Sequence, residues 1–214
     1  MSKQLAFEIP THGGRRKNAG RKKRLKHELA HSARERVTAS TPLHITIKLK
    51  AHLPGLRTKS CLRAFKRGIQ KAALKGLRVQ QFAVETNHIH LLAEADENRD
   101  LTLGMASLES SIVWALRKIF GYWGEVFRSR FHLHVLRTPS EMKRALSYVL
   151  FNHSKHTGQP RFADLFSSIF EFVDLRDLAP ELQLIIRPAW RETFVDALTP
   201  ARAWLQRLGW KRGR

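Results

Sequence analysis

Between Pro42 and Lys50 the chain alternates. Leu43, Ile45, Ile47 and Leu49 are apolar, and His44, Thr46 and Lys48 between them are polar. A period of two marks a strand with one buried face and predicts the first strand over Leu43 to Lys50. After the break at Pro54-Gly55, apolar Leu62, Phe65, Ile69 and Ala73 recur at helical spacing among Arg63, Lys66, Arg67, Lys71 and Lys75. This predicts a basic amphipathic helix, with Gly76 as its C-terminal stop. Leu77 to Glu85 and Ile89 to Glu94 read as two further strands, paired as a hairpin through a turn at Thr86-Asn87. Leu101, Met105, Leu108, Ile112, Leu116 and Ile119 step by threes and fours toward Gly121, which predicts a second amphipathic helix. A short strand follows around Leu133 to Arg137. Thr138-Pro139-Ser140-Glu141 then supplies an N-cap, a proline at the first helical position and a glutamate that can close a capping box, so a third helix should run to about His156.

The order β-α-β-β-α-β with a trailing helix defines an α+β class: a ferredoxin-like (RRM-like) antiparallel sheet with helices on one face and the other face open to a ligand. The third helix is expected near that open face. No repeat at solenoid or propeller spacing is visible, so this single unit must carry the core. Three regions follow: an arm over 1–40, a core domain over 41–157, and a C-terminal extension over 158–214 broken by Pro160, Pro180, Pro188 and Pro200. The extension ends on Ala201 to Arg214, which contains Trp204, Trp210 and several cations but no acid. Those tryptophans are expected to pack on the domain, with base stacking as the alternative.

Charge narrows the partner. The 214 residues hold 39 Lys+Arg against 18 Asp+Glu, a net charge of +21, and the pI is near 11.2. Such self-repulsion calls for a polyanion, and nucleic acid is the natural one. Residues 1–40 alone carry 11 Lys+Arg and 3 Asp+Glu, with almost no apolar surface to offset the entropy of ordering. This predicts a flexible arm whose Arg15, Arg16, Lys17, Arg21, Lys22, Lys23 and Arg24 lie on phosphates or in a minor groove, the alternative being a solvated solubility tail. Arg63, Lys66, Arg67 and Lys71 of the first helix are candidates for the same role. A lone cysteine, Cys61, excludes an intramolecular disulfide and any multi-cysteine zinc site. With no run approaching the roughly 18 apolar residues of a membrane helix and no secretory leader, a cytoplasmic, nucleoid-associated protein without a membrane partner is expected.

His88-Ile89-His90 puts two imidazoles on one face of a strand, where a pair can hold one divalent cation. By itself such a pair is ordinary sheet surface more often than a metal site. On the third helix Tyr148 and Asn152, four residues apart, share a flank. The phenol could act as a phosphate nucleophile and the amide oxygen could ligate a cation; alternatively Tyr148 rims the core and Asn152 bonds the backbone.

Taken together, the motifs are specific. Asn87-His88-Ile89-His90-Leu91-Leu92 resembles the His-hydrophobic-His (HUH) signature of single-tyrosine transposases, and Tyr148-Val149-Leu150-Phe151-Asn152 resembles their nucleophile helix. Over Pro42 to His156 the chain looks like a REP-associated tyrosine transposase, within the IS200-like transposase superfamily. That resemblance implies that His88 and His90 bind Mg²⁺ or Mn²⁺, that Tyr148 attacks a single-stranded DNA phosphate, and that Asn152 completes the metal site. It implies a metal-dependent endonuclease and strand transferase acting on hairpin DNA of repetitive extragenic palindromes. Cleavage would leave a 5′-phosphotyrosine and a free 3′-OH. Relatives act as monomers or as homodimers, and the sequence does not choose. They commonly carry Asn-Pro after the tyrosine, whereas here Asn152 is followed by His153. From another class comes a non-catalytic protein that binds single-stranded or structured nucleic acid on the same sheet.

Other histidines stay outside this assignment. His44 borders the site or is plain surface. His132 and His134 repeat the i, i+2 spacing without a comparable partner helix, and His153 and His156 are placed to serve the helix dipole.

Overall fold

The computed structural model describes residues 34–157, 164, 166–168 and 197–212. Four strands form an antiparallel sheet in the order β2-β3-β1-β4: β1 is Leu43–Lys48, β2 Arg78–Val84, β3 His88–Glu94 and β4 His132–Val135. Helix α1 (Lys59–Ala73) joins β1 to β2 and α2 (Asn98–Phe120) joins β3 to β4. Helix α3 (Pro139–Thr157) follows β4, and a short α4 (Trp204–Arg207) with a 3-10 turn (Gly209–Arg212) closes the described chain. This is the expected α+β, ferredoxin-like arrangement.

Local signals explain most boundaries. Thr58 caps α1, its hydroxyl accepting from the Cys61 amide at 3.2 Å. Gly76 stops that helix with a φ of +89°, where a side chain would run into Asp100. The capping box of α3 forms as read: the Glu141 amide donates to Thr138 Oγ1 at 3.2 Å, and the Thr138 amide donates to Glu141 Oε2 at 3.2 Å. The Glu85 amide donates to the His88 carbonyl at 2.8 Å, closing the β2–β3 hairpin around Thr86-Asn87. The last strand is shifted from the expected Leu133 to Arg137 to His132–Val135, because its register is set by pairing with β1, His44 opposite His134.

The main core lies between the sheet and the α1–α2 layer. Ile45, Ile47, Ile89, Leu91 and Phe82 meet Phe65, Ile69, Met105, Leu108 and Ile112, all buried. Burial of each such side chain contributes about 1.5–3 kcal/mol. The opposite face is not wholly open. Met142, Leu146, Val149 and Leu150 of α3 pack on Ala83 and Leu92, and Leu205 of α4 joins them. The reason is legible in retrospect: Leu92 shares the phase of His88 and His90, so that face carries apolar surface that a helix must cover. The part of it next to β4 stays accessible, with His132 and His134 exposed.

Strand β2 is an edge whose free side is capped by the C-terminal pieces. Thr199 donates to Val79, Ser168 to Phe82, and Val84 to Phe166, at 2.9, 3.0 and 2.7 Å. Arg57 holds Asp164 with two hydrogen bonds, at 3.0 and 2.7 Å. Glu94, fully buried, accepts from the backbone amides of Arg202 and Ala203 at 2.9 and 3.0 Å and so fixes the start of α4. Trp210 is partly buried against the α3 cluster, whereas Trp204 is half exposed, so the packing expected of both tryptophans holds for one.

The end of the expected arm is packed rather than flexible: Val37 is buried in the main core and its amide donates to Asn98 Oδ1 at 2.6 Å. Arg15, Arg16, Lys17, Arg21, Lys22, Lys23 and Arg24 lie outside the described residues. Among the described residues no helix is long and apolar enough to cross a membrane.

Candidate active site

Antiparallel pairing sets His90 between Thr46 on β1 and Ala83 on β2, so its ring lies mid-sheet on the α3 face. It is 4% exposed. Its Nδ1 is 3.1 Å from Thr46 Oγ1 and 3.3 Å from His44 Nε2. His88, two residues earlier on the same face, is half-buried, with Nδ1 2.8 Å from Asn87 Oδ1. The two rings stand edge to face with centroids 4.7 Å apart.

Helix α3 crosses above them. Tyr148 presents its ring edge-on to His90 at 4.9 Å and to His44 at 5.9 Å. One turn on, Asn152 is 1% exposed and donates from Nδ2 to Glu85 Oε1 at 3.3 Å. Because a carboxylate only accepts, this contact fixes which way the amide points. Asn152 Oδ1 is buried with no hydrogen-bond partner among the described residues, an acceptor lone pair held in reserve. The other Glu85 oxygen faces His153 Nδ1 at 3.3 Å.

His44 is the most perturbed group here. Burial, with smaller contributions from His134 and His132, lowers its pKa to about 4. The ring is therefore neutral at pH 7 and able to accept a hydrogen bond from His90. Nδ1 of His90 is turned to Thr46 and His44, which orients the ring.

Beside Tyr148 opens a cleft of about 680 Å³, lined by His44, His134, Lys143, Arg144 and Ser147, with the capping-box carboxylate Glu141 also on its wall. Lys143 and Arg144 are exposed on α3 and His134 on β4, so cations border the phenol. The basic face of α1 is elsewhere. Arg63, Arg67 and Lys71 are exposed and Lys66 half-buried, but α1 packs on the sheet face opposite α3. The structure thus brings His88, His90, Tyr148 and Asn152 to one face and leaves Arg63, Lys66, Arg67 and Lys71 on the far side.

Glu85, Thr46 and His153 join the site without a sequence motif to announce them. Glu85 could have been found from the hairpin: a turn at Thr86-Asn87 places it opposite His88, on the same face. Among the described residues no group of three His, Cys, Asp or Glu side chains is placed to hold a metal ion; a site here needs the Asn152 amide.

No protein-family model matches the sequence, and no curated protein matches it either. Among solved structures, the fold is similar to that of a REP-associated tyrosine transposase bound to a REP hairpin. The TM-score is 0.51 at 19% identity, over 71% of this chain and 89% of that one. The likeness establishes a shared fold: a four-stranded antiparallel sheet with helices, arranged as in a transposase.

Proposed function

We propose that this protein is a metal-dependent single-strand DNA endonuclease and strand transferase of the HUH type, acting on hairpin-forming DNA through a 5′-phosphotyrosine intermediate. The observation that carries the reading is the meeting of His88, His90 and Tyr148 ring to ring across the sheet and α3, beside a cation-bordered cleft. The fold it shares with a hairpin-bound transposase and a net charge of +21 support DNA as the partner.

The residues suit a divalent cation. His88 and His90 offer imidazole nitrogens, and the unpartnered buried Asn152 Oδ1 offers the oxygen, its amide oriented by Glu85. Mg²⁺ or Mn²⁺ held there would polarise the scissile phosphate, and two imidazoles favour Mn²⁺. Thr46 and His44 hold the His90 ring in the tautomer a ligand needs. Tyr148 supplies the nucleophile: its Oη–P bond forms as the P–O3′ bond breaks, the phenolic proton is released, and the departing 3′-oxygen takes one up. Lys143, Arg144 and His134 bind the phosphates flanking the scissile one and keep the strand along the cleft. Because the phosphotyrosine conserves the cleaved linkage, a 3′-OH can reverse the step and rejoin strands.

The test is a labelled single-stranded hairpin from the genome's own palindromic repeats, incubated with Mn²⁺ or with EDTA and resolved on a denaturing gel. A covalent protein–DNA band is expected with Mn²⁺ only. In Tyr148→Phe it should disappear while hairpin affinity stays within about twofold, since one hydroxyl at a site of many phosphate contacts adds little to binding. A band that survives in Tyr148→Phe removes the assigned nucleophile. Salt-sensitive binding with no band in Mn²⁺ would leave a binding protein without catalysis.

A further inference from the structure

A second cleft, of about 560 Å³, opens between β2 and the C-terminal segment, within the ~300–1,000 Å³ typical of ligand pockets. We propose that it is a pocket for one unpaired nucleobase of the bound strand; this rests on the DNA-processing reading above. Its walls are Gln80, Leu146, Pro200, Gln206, Arg207 and Trp210. Among the described residues no acidic side chain lines it.

The floor is unusual. Gln80 and Gln206 are 4% and 8% exposed, and their amides make one long mutual contact, Gln206 Nε2 to Gln80 Oε1 at 3.5 Å. That leaves Gln80 Nε2 and Gln206 Oε1 buried with no partner among the described residues. A buried donor and a buried acceptor left without partners are costly in a folded protein. Nucleobase edges present both donors and acceptors, and glutamine amides commonly read such edges.

The irregularity that creates this floor is built into the strand. Val79 pairs with Ala93 but Gln81 pairs with Leu92, so Gln80 is the extra residue of a β-bulge. Bulges re-aim side chains. Here the bulge lets Gln80 and Gln81 both line the cleft, where an unbroken strand would send one to each face. The remaining walls complete the chemistry. Trp210, half-buried against the α3 cluster with Lys211 Nζ 5.8 Å from its ring centroid, forms an aromatic wall, and exposed Arg207 and Lys211 stand at the rim for the adjoining phosphates. Helix α3 separates the two clefts, with Leu146 lining this one and Ser147 and Tyr148 lining the other. A strand passing over α3 therefore reaches both, and the pocket holds a base a short distance along the chain from the phosphate at Tyr148.

The experiment is a hairpin with single-stranded flanks of about ten nucleotides, within the site size of such proteins, made abasic at each flank position in turn. Binding is measured by fluorescence anisotropy for the wild type and for Gln80→Leu/Gln206→Leu. In the wild type one position should lose about tenfold on base removal, the worth of a well-held base. In the variant that penalty should vanish, and the intact hairpin should bind about tenfold more weakly. Replacing both amides by leucines of similar volume should keep or raise the melting temperature, so the loss is not one of folding. Arg207→Ala should weaken all the hairpins alike and reduce the salt slope by about one. A variant that keeps the wild-type abasic profile, or a wild type with a flat profile, overturns the pocket while leaving DNA binding intact. A wild type that binds no hairpin at all overturns the DNA reading and the pocket together.

Discussion

Replacing Asn152 by aspartate changes one atom of a buried side chain and tests its contact with Glu85. The two residues are 1% and 5% exposed and 3.3 Å apart. If both carboxylates were ionised at that distance, their repulsion at an effective dielectric constant of about 20 would be about 5 kcal/mol. Retaining a proton on the new carboxyl is cheaper. From a reference pKa of about 3.9, holding it to pH 7 costs about 4 kcal/mol. Protonation therefore prevails, and the protonated group donates to Glu85 as the amide did. The folded-state pKa of the new carboxyl is raised, so the penalty is absent below about pH 4 and grows as pH rises through neutrality. For Asn152→Asp in EDTA, urea melts should give a loss of about 1–2 kcal/mol at pH 5 and about 3–4 kcal/mol at pH 7. Adding Mn²⁺ should narrow the gap, because the cation replaces the proton. A loss equal at both pH values in EDTA would refute the reasoning, since it would mean that Glu85 does not face this side chain.

Two further predictions concern the scaffold. Burial raises the Glu109 pKa to about 7 despite Arg34 and Arg130 nearby. The wild type is therefore destabilised as pH rises from about 4.5 to 7 while the unfolded chain ionises first, and Glu109→Gln should escape this. The variant should match the wild type at pH 4 and exceed it by about 1–2 kcal/mol at pH 8 in denaturant melts, after allowance for solvent screening; equal stability at both would refute the burial argument. Gly104→Ala sets helix propensity, a gain of about 1 kcal/mol, against a Cβ placed 2.2 Å from Leu77 Cβ with Leu77 backbone just beyond. Overpacking against backbone, about 1–3 kcal/mol, should win, lowering the melting temperature by several degrees; a rise would show that α2 can move away from β2.

The Thr138–Glu141 capping box, the Gly76 stop, the alternation of β1 and the phase of His88 and His90 are short-range facts, each set within a few residues by backbone geometry and hydrogen bonding. The sequence alone therefore determined the order of the elements through the third helix, the faces of β1 and β3 and the shared flank of Tyr148 and Asn152. Through its net charge of +21 it also set the expectation of a polyanionic partner. What it could not determine depends on which distant segments meet. Covering Leu92 and Ala83 with α3 turned an open face into a half-covered one and set Tyr148 against His90. Pairing of β1 with β3 brought Thr46 and His44 to His90, and the hairpin with α3 brought Glu85 to Asn152 and His153. The clasp of Glu94 on the backbone of Arg202 and Ala203 joins residues more than a hundred positions apart. No local pattern encodes such contacts, because what selects them is the burial of complementary surfaces in the assembled fold.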